Sequence, residues 1–114
     1  MPLRILRILR MFPAGILGGL MLSSVMAHAQ SDAAKTYKSN CELCHGANGS
    51  GDTGPGNAFH AKDLRSDEVQ KETDAALTEV INKGRGKMPA FGAKIKPDGV
   101  EKLVAYIRSL PAKK

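Results

Sequence analysis

The sequence predicts an all-α domain on three observations. From Pro97-Asp98 to Leu110-Pro111, Val100, Leu103, Val104, Ile107 and Leu110 recur at helical spacing, the strongest amphipathic pattern in the chain. A second helix carries its own end signals, Thr73-Asp74 at the start and Gly84 at the finish, with Leu77, Val80 and Ile81 at i, i+3 and i+4. A third follows from Ala33, Tyr37 and Cys41, spaced every four residues, and no strand-like run precedes Cys41.

The chain opens on Arg4, Arg7 and Arg10 without an acid, continues through an apolar run from Met11 to Met26, and closes that run with Ala27-His28-Ala29. A charged region, an apolar region and a small-residue site in this order make a secretory signal peptide, so cleavage is expected after Ala29. Residues 1–29 are then the signal and residues 30–114 one domain of 85 residues. The rival is a retained membrane anchor. Crossing a bilayer takes about 20 apolar residues, and this run is shorter and broken by Pro13, Gly15, Gly18 and Gly19. The arginines are not paired, which favours a Sec-type route to the periplasm, and no membrane anchor is expected after cleavage.

Losing Arg4, Arg7 and Arg10 takes the formal charge from +6 to +3. No basic stripe is interleaved with aromatic residues, so composition argues against a nucleic-acid partner. A domain of this size without Trp has little apolar area for a core of its own, and small domains commonly need a disulfide, a metal or a cofactor as a staple.

The first helix of the mature chain opens on Ser31-Asp32, residues able to cap it and to place a carboxylate at its positive end. It delivers Cys41-Glu42-Leu43-Cys44-His45, a Cys-x-x-Cys-His. Two thiols three residues apart on one helical turn reach the two vinyl carbons of a porphyrin, and the next imidazole lands beneath the iron. The motif therefore reads as the attachment site of one covalent haem c, held by Cys41 and Cys44 with His45 as an iron ligand. Three other chemistries use a Cys-x-x-Cys. A thioredoxin-like redox pair wants a βαβ setting. A zinc site wants a fourth ligand, and no further Cys exists. A structural disulfide suits an exported chain.

Gly46 to Asn57 reads as a loop, with five glycines and Pro55 among its residues. No strand precedes it and no Gly-Lys-Ser/Thr follows, so a phosphate cradle is not supported. A haem-ligating histidine commonly donates its second ring hydrogen to a carbonyl, and Pro55 could present one. His60 is a possible second iron ligand by proximity. Ala61 to Gln70 is mixed, with helix-start residues at Asp63 and Ser66-Asp67-Glu68.

After the Thr73–Gly84 helix comes Gly84 to Gly92, a loop holding Met88, the one methionine of five that lies beyond the signal segment. Pro89 keeps the Met88 backbone extended. Some forty residues past the haem motif, with a helix between, Met88 is the leading candidate for the second iron ligand, which raises the potential relative to two nitrogens. In the final helix Tyr106 lies beside the apolar stripe and is expected to meet the first helix near Ala33 and Tyr37.

Taken in order, Cys41-Glu42-Leu43-Cys44-His45-Gly46, Gly54-Pro55, Asp63-Leu64, Met88-Pro89-Ala90-Phe91 and Leu103-Val104-Ala105-Tyr106-Ile107 resemble a small class I c-type cytochrome over essentially the whole mature chain. The resemblance implies an all-α fold with crossed terminal helices around one haem, Cys41 and Cys44 as thioethers, and His45 and Met88 as axial ligands. It also implies the Pro55 carbonyl on His45 and Tyr106 at the helix crossing. No residue is assigned to the haem propionates.

A six-coordinate iron has no open position for substrate, so the expected function is one-electron transfer between redox protein partners, without enzyme chemistry. The expected protein is a periplasmic monomer. Lys83, Arg85, Lys87, Lys94 and Lys96 flank the methionine loop and are candidates for steering an acidic partner. Two alternatives stand beside this: a dedicated haem subunit of a dehydrogenase or oxidase, and a gas-binding or peroxidatic haem protein lacking the methionine ligand.

Overall fold

The computed structural model describes residues 22–113. Among them are six helices: α1 (Leu22–Asn40), α2 (Glu42–His45), α3 (Gly54–Phe59), α4 (Asp67–Gln70), α5 (Asp74–Lys83) and α6 (Pro97–Ser109). No strand forms among the described residues; one isolated bridge joins Arg85 and Met88. The all-α expectation therefore holds. Most of the proposed signal segment, residues 1–21, lies outside the described residues.

The core lies where α6 meets α1 and α5. Val100, Leu103, Val104 and Ile107 turn inward from α6, as their spacing requires. Tyr37 of α1 and Leu77 and Ile81 of α5 complete the centre, with Val69 of α4 and with Leu64 and Ile95 from the connecting segments. Leu110, the last residue of the predicted stripe, falls just past the helix and is only half-buried against the core. The Tyr37 and Tyr106 rings meet at 5.0 Å between centroids, tilted by 44°, so the expected aromatic contact between the two long helices is present.

Tyr37 is 1% exposed. A buried phenol needs a partner, and its hydroxyl donates to the Gly46 carbonyl oxygen at 2.6 Å, tying α1 to the chain just past the Cys-x-x-Cys-His motif. Burial, reinforced by nearby Cys41, holds the phenol far above its ordinary pKa, so it stays protonated and donating.

Helix ends follow local chemistry. Thr73 caps α5 through its side chain, accepting from the Ala76 amide at 3.1 Å, and Ser66 caps α4 through the Val69 amide at 3.3 Å. Gly84 closes α5 with φ 75°, a conformation that favours glycine. Two expectations are corrected. In the uncleaved chain Ser31 and Asp32 lie inside α1 and do not cap it; the helix already includes Leu22 to Gln30 before them, so no orphan amide is left at Ser31 to cap. Gly54 to Asn57 is helix, not loop: Thr53 accepts from the Gly56 amide at 2.9 Å, and Pro55 occupies the first turn, where its missing N–H costs nothing.

Candidate functional site

Cys41 interrupts α1 from α2 by a single residue, and the ladder continues across it, with the Cys41 amide on the Tyr37 carbonyl at 2.8 Å and the His45 amide on the Cys41 carbonyl at 2.9 Å. The two cysteines and His45 are thus carried on one nearly continuous helical turn, as the spacing predicts. Both thiols are free and half-buried. Burial, with Cys44 nearby, pushes the Cys41 thiol up to about 11. A redox-active Cys-x-x-Cys calls for the opposite shift, and no βαβ unit surrounds it among the described residues, so neither observation supports the thioredoxin-like reading.

The segment after His45 wraps back onto the motif. Thr53 Oγ1 donates towards the Leu43 and Cys44 carbonyls, at 2.8 and 3.0 Å, while accepting from Gly56. One hydroxyl therefore joins the last carbonyls of α2 to the first amides of α3, groups that every helix leaves unpaired. The Gly51 amide takes the His45 carbonyl at 2.7 Å, and the Leu64 amide takes that of Gly49 at 2.7 Å. Gly56 makes this closure possible, since a Cβ there would stand 2.2 Å from the Cys44 carbonyl oxygen.

His45 Nδ1 lies 2.9 Å from the Lys62 carbonyl oxygen. A carbonyl only accepts, so Nδ1 carries the hydrogen and Nε2 keeps its lone pair free for a metal. The orienting carbonyl is that of Lys62, not of Pro55: Pro55 is built into the first turn of α3, while Lys62 lies in the non-helical segment after that helix and meets the imidazole. The role was predictable from histidine chemistry; the residue supplying it, a backbone group seventeen positions away, carries no sequence signal.

Met88 is set by a different device. Its amide donates to the Arg85 carbonyl at 3.0 Å and its carbonyl accepts from the Arg85 amide at 3.2 Å, closing a turn over Gly86 and Lys87. The Phe91 and Gly92 amides then take the Ile81 and Asn82 carbonyls, at 2.8 and 3.1 Å, so the loop itself satisfies the C-terminal end of α5. Met88 and Cys41 both pack, half-buried, against the same hydrophobic core. His60 takes a different course: it ends α3 in the left-handed region at φ 56° and is exposed.

These residues fit a covalently bound haem. Two free thiols stand on one turn beside an imidazole whose tautomer leaves Nε2 available, and the candidate methionine borders the same core as the first thiol. Leu43 and Phe59 remain exposed, leaving uncovered apolar surface on α2 and α3. Among the described residues no cluster of three or more His, Cys, Asp and Glu forms a metal cage, which leaves the zinc reading without its ligands. Fold and site together define a small all-α haem protein of the c type.

Comparison with known proteins agrees. Residues 28–107 match the family model described as cytochrome c oxidase, cbb3-type, subunit III. Cytochrome c6 of Gloeothece citriformis is 31% identical over 97 residues, covering 81% of each chain. Cytochrome c-555 of Methylococcus capsulatus is 35% identical over 103 residues, covering 81% of this chain and 77% of its own. Among solved structures, the KustC0563 c-type cytochrome superposes with a TM-score of 0.65 at 33% identity, over 72% of this chain and 99% of its own. The chain belongs to the small class I c-type cytochromes, whose haem c is covalently bound, and Cys41 and Cys44 form the matching attachment motif. It is an electron-transfer haem protein.

Proposed function

We propose that this protein is a periplasmic one-electron carrier whose iron ligands are His45 and Met88, with no substrate chemistry of its own. The observation that carries the ligand assignment is the pairing of an oriented imidazole, His45 on the Lys62 carbonyl, with a methionine turn fixed at both its amide and its carbonyl. Haem c supplies a one-electron iron centre when bound. The chain's contribution is to hold both ligands on short, hydrogen-bonded turns, with Cys41 at the start of one and Met88 on the other packed against a shared core, so that little has to move when the charge of the site changes.

Processing after Ala29 is part of this reading. Among the described residues the buried core begins at Ala33, on the mature side of the expected cleavage point. Cleavage would also bring Ser31 and Asp32 into the first turn of α1, where a carboxylate suits the helix dipole. Among the described residues no helix is long and apolar enough to cross a membrane.

The steering surface is narrower than the sequence suggests. Lys83 is paired with Glu79 and Arg85 with Glu72. Lys87, Lys94 and Lys96 are exposed without an ion-pair partner among the described residues, and these three form the proposed contact with an acidic redox partner. An association rate insensitive to ionic strength would sink this proposal.

A second reading is favoured by the family description itself and by the cbb3-type cytochrome c oxidase subunit FixP of Bradyrhizobium diazoefficiens, 34% identical over 95 residues. This chain covers 31% of that protein's length, so the likeness is to one module of it. Co-purification with a larger enzyme at ordinary salt would support a dedicated subunit over a free monomeric carrier.

The ligand assignment is tested with Met88→Ala and His60→Ala in haem-loaded protein. Met88→Ala is expected to abolish the sulfur–iron band of the oxidised form and to open the reduced form to carbon monoxide, while His60→Ala leaves the spectrum unchanged. The reverse pattern would transfer the ligand role to His60. Rapid carbon monoxide binding by the unsubstituted protein would favour a gas-binding or peroxidatic role.

A further inference from the structure

We propose that Glu72 is the positioning residue of the Met88 turn, acting through Arg85; the proposal rests on the reading of Met88 as an iron ligand. Arg85 Nη1 and Nη2 donate to Glu72 Oε1 and Oε2 at 3.1 and 3.2 Å, two parallel bonds that fix the direction of the guanidinium as well as its position. Arg85 is also the residue whose amide and carbonyl are both paired with Met88. Fixing Arg85 therefore fixes the start of the turn on which Met88 is carried.

Glu72 is itself anchored. It lies in the short connector between α4 and α5, where its backbone carbonyl accepts from Arg108 Nη2. Arg108 Nη1 holds the Gln70 carbonyl at 2.8 Å, and its Nε and Nη2 meet Asp74 Oδ1 at 3.0 Å. A continuous path thus runs from α6, through Arg108 to the 70–74 segment, through the Glu72 carboxylate to Arg85, and on to Met88. Arg85 holds the Glu72 carboxyl below its ordinary pKa, as a genuine partner should.

The neighbouring Lys83–Glu79 pair provides the contrast. It makes one contact at 3.2 Å within α5, with side chains 74% and 65% exposed, and it links nothing to the turn. Pairs of that kind contribute little. The Glu72 side chain is 24% exposed, and its fork geometry joins two separate segments.

The experiment is an imidazole titration of the oxidised, haem-loaded protein, following displacement of the sulfur–iron band, with thermal melting of each variant alongside. Glu72→Gln is expected to bind imidazole roughly threefold or more tightly than the unsubstituted protein, the scale expected for loss of a well-formed ion pair. Arg85→Lys, which keeps the charge and loses the fork, is expected to fall between them. Glu79→Gln should match the unsubstituted protein. The charge-exchanged pair Glu72→Arg with Arg85→Glu should recover part of the lost resistance. A Glu72→Gln protein that melts earlier yet binds imidazole with unchanged affinity would overturn the proposal and leave Glu72 a purely structural residue. Absence of the sulfur–iron band from the unsubstituted protein would instead overturn the Met88 assignment, and this proposal with it.

Discussion

The two halves of the site are held in different ways. The attachment segment, residues 41–64, is fixed by groups within or next to itself: Thr53 on the Leu43 and Cys44 carbonyls, Gly51 on the His45 carbonyl, and Lys62 on the imidazole. The methionine segment, residues 84–92, has one internal turn and otherwise depends on other elements, namely the last carbonyls of α5 and the Glu72 carboxylate. A side chain tethered by covalent bonds to its cofactor has a compact local frame around it. A side chain proposed to contribute a single ligand bond from a loop, as Met88 is, is kept in place by the domain as a whole. The methionine side should therefore be the first to yield under stress, while the histidine side persists.

Substitutions at glycine test that contrast most severely. Gly56→Ala places a Cβ 2.2 Å from the Cys44 carbonyl oxygen and 2.3 Å from that of Gly51, both backbone atoms that cannot rotate away. A loss of about 3 kcal/mol is expected, read as a lowered melting temperature, with disturbance centred on the attachment segment. Gly84→Ala puts a Cβ 2.5 Å from the Met88 carbonyl oxygen at a φ of 75°. The expected cost is about 2 kcal/mol, and here the sulfur–iron band should weaken before the melt. Equal weakening of that band by both variants would erase the distinction between the two segments.

Tyr37→Phe removes the hydroxyl on Gly46 and leaves the ring packing in place. It should cost about 1 to 2 kcal/mol in denaturant unfolding and leave the sulfur–iron band intact, since the lost bond belongs to the attachment side. The smallest effect is electrostatic. Hydrogen bonds from Arg65 hold the Asp63 carboxyl below its ordinary value. A carboxyl lowered in the folded state stabilises the fold fully above its unfolded pKa, and that contribution is lost as pH falls through the folded value. Asp63→Asn should therefore lower the melting temperature slightly near neutral pH, with the difference from the unsubstituted protein disappearing in acid. A difference that grows in acid would contradict the Arg65 pairing.

Legibility in the sequence followed the same division. The Cys-x-x-Cys-His states its own chemistry because thioether attachment demands fixed spacing, and the α6 stripe and the α5 caps are periodic or terminal signals that survive without tertiary context. Helix α3 was also legible in principle, since a threonine followed by Gly-Pro is a cap with proline in the first turn, but the surrounding glycines mask it. The Lys62 carbonyl and the Glu72–Arg85–Arg108 path are not. The first is a backbone group, identical in every residue, and the second joins positions 13 to 36 apart through side chains common on any surface. Met88 lies between these cases: Met-Pro in a glycine-flanked loop signals a restrained turn, and only the motif upstream gives that turn a purpose.

The central claim is that one covalently held haem is gripped by the rigid His45 side and the domain-supported Met88 side. Its most direct test is the absorption spectrum of the protein matured with haem-attachment machinery, oxidised and reduced, followed by denaturation and acid–acetone extraction. The expected result is haem that stays with the polypeptide, low-spin in both states, with a sulfur–iron band in the oxidised form that Gly84→Ala weakens. Haem released by extraction, or a low-spin spectrum without that band, would contradict it.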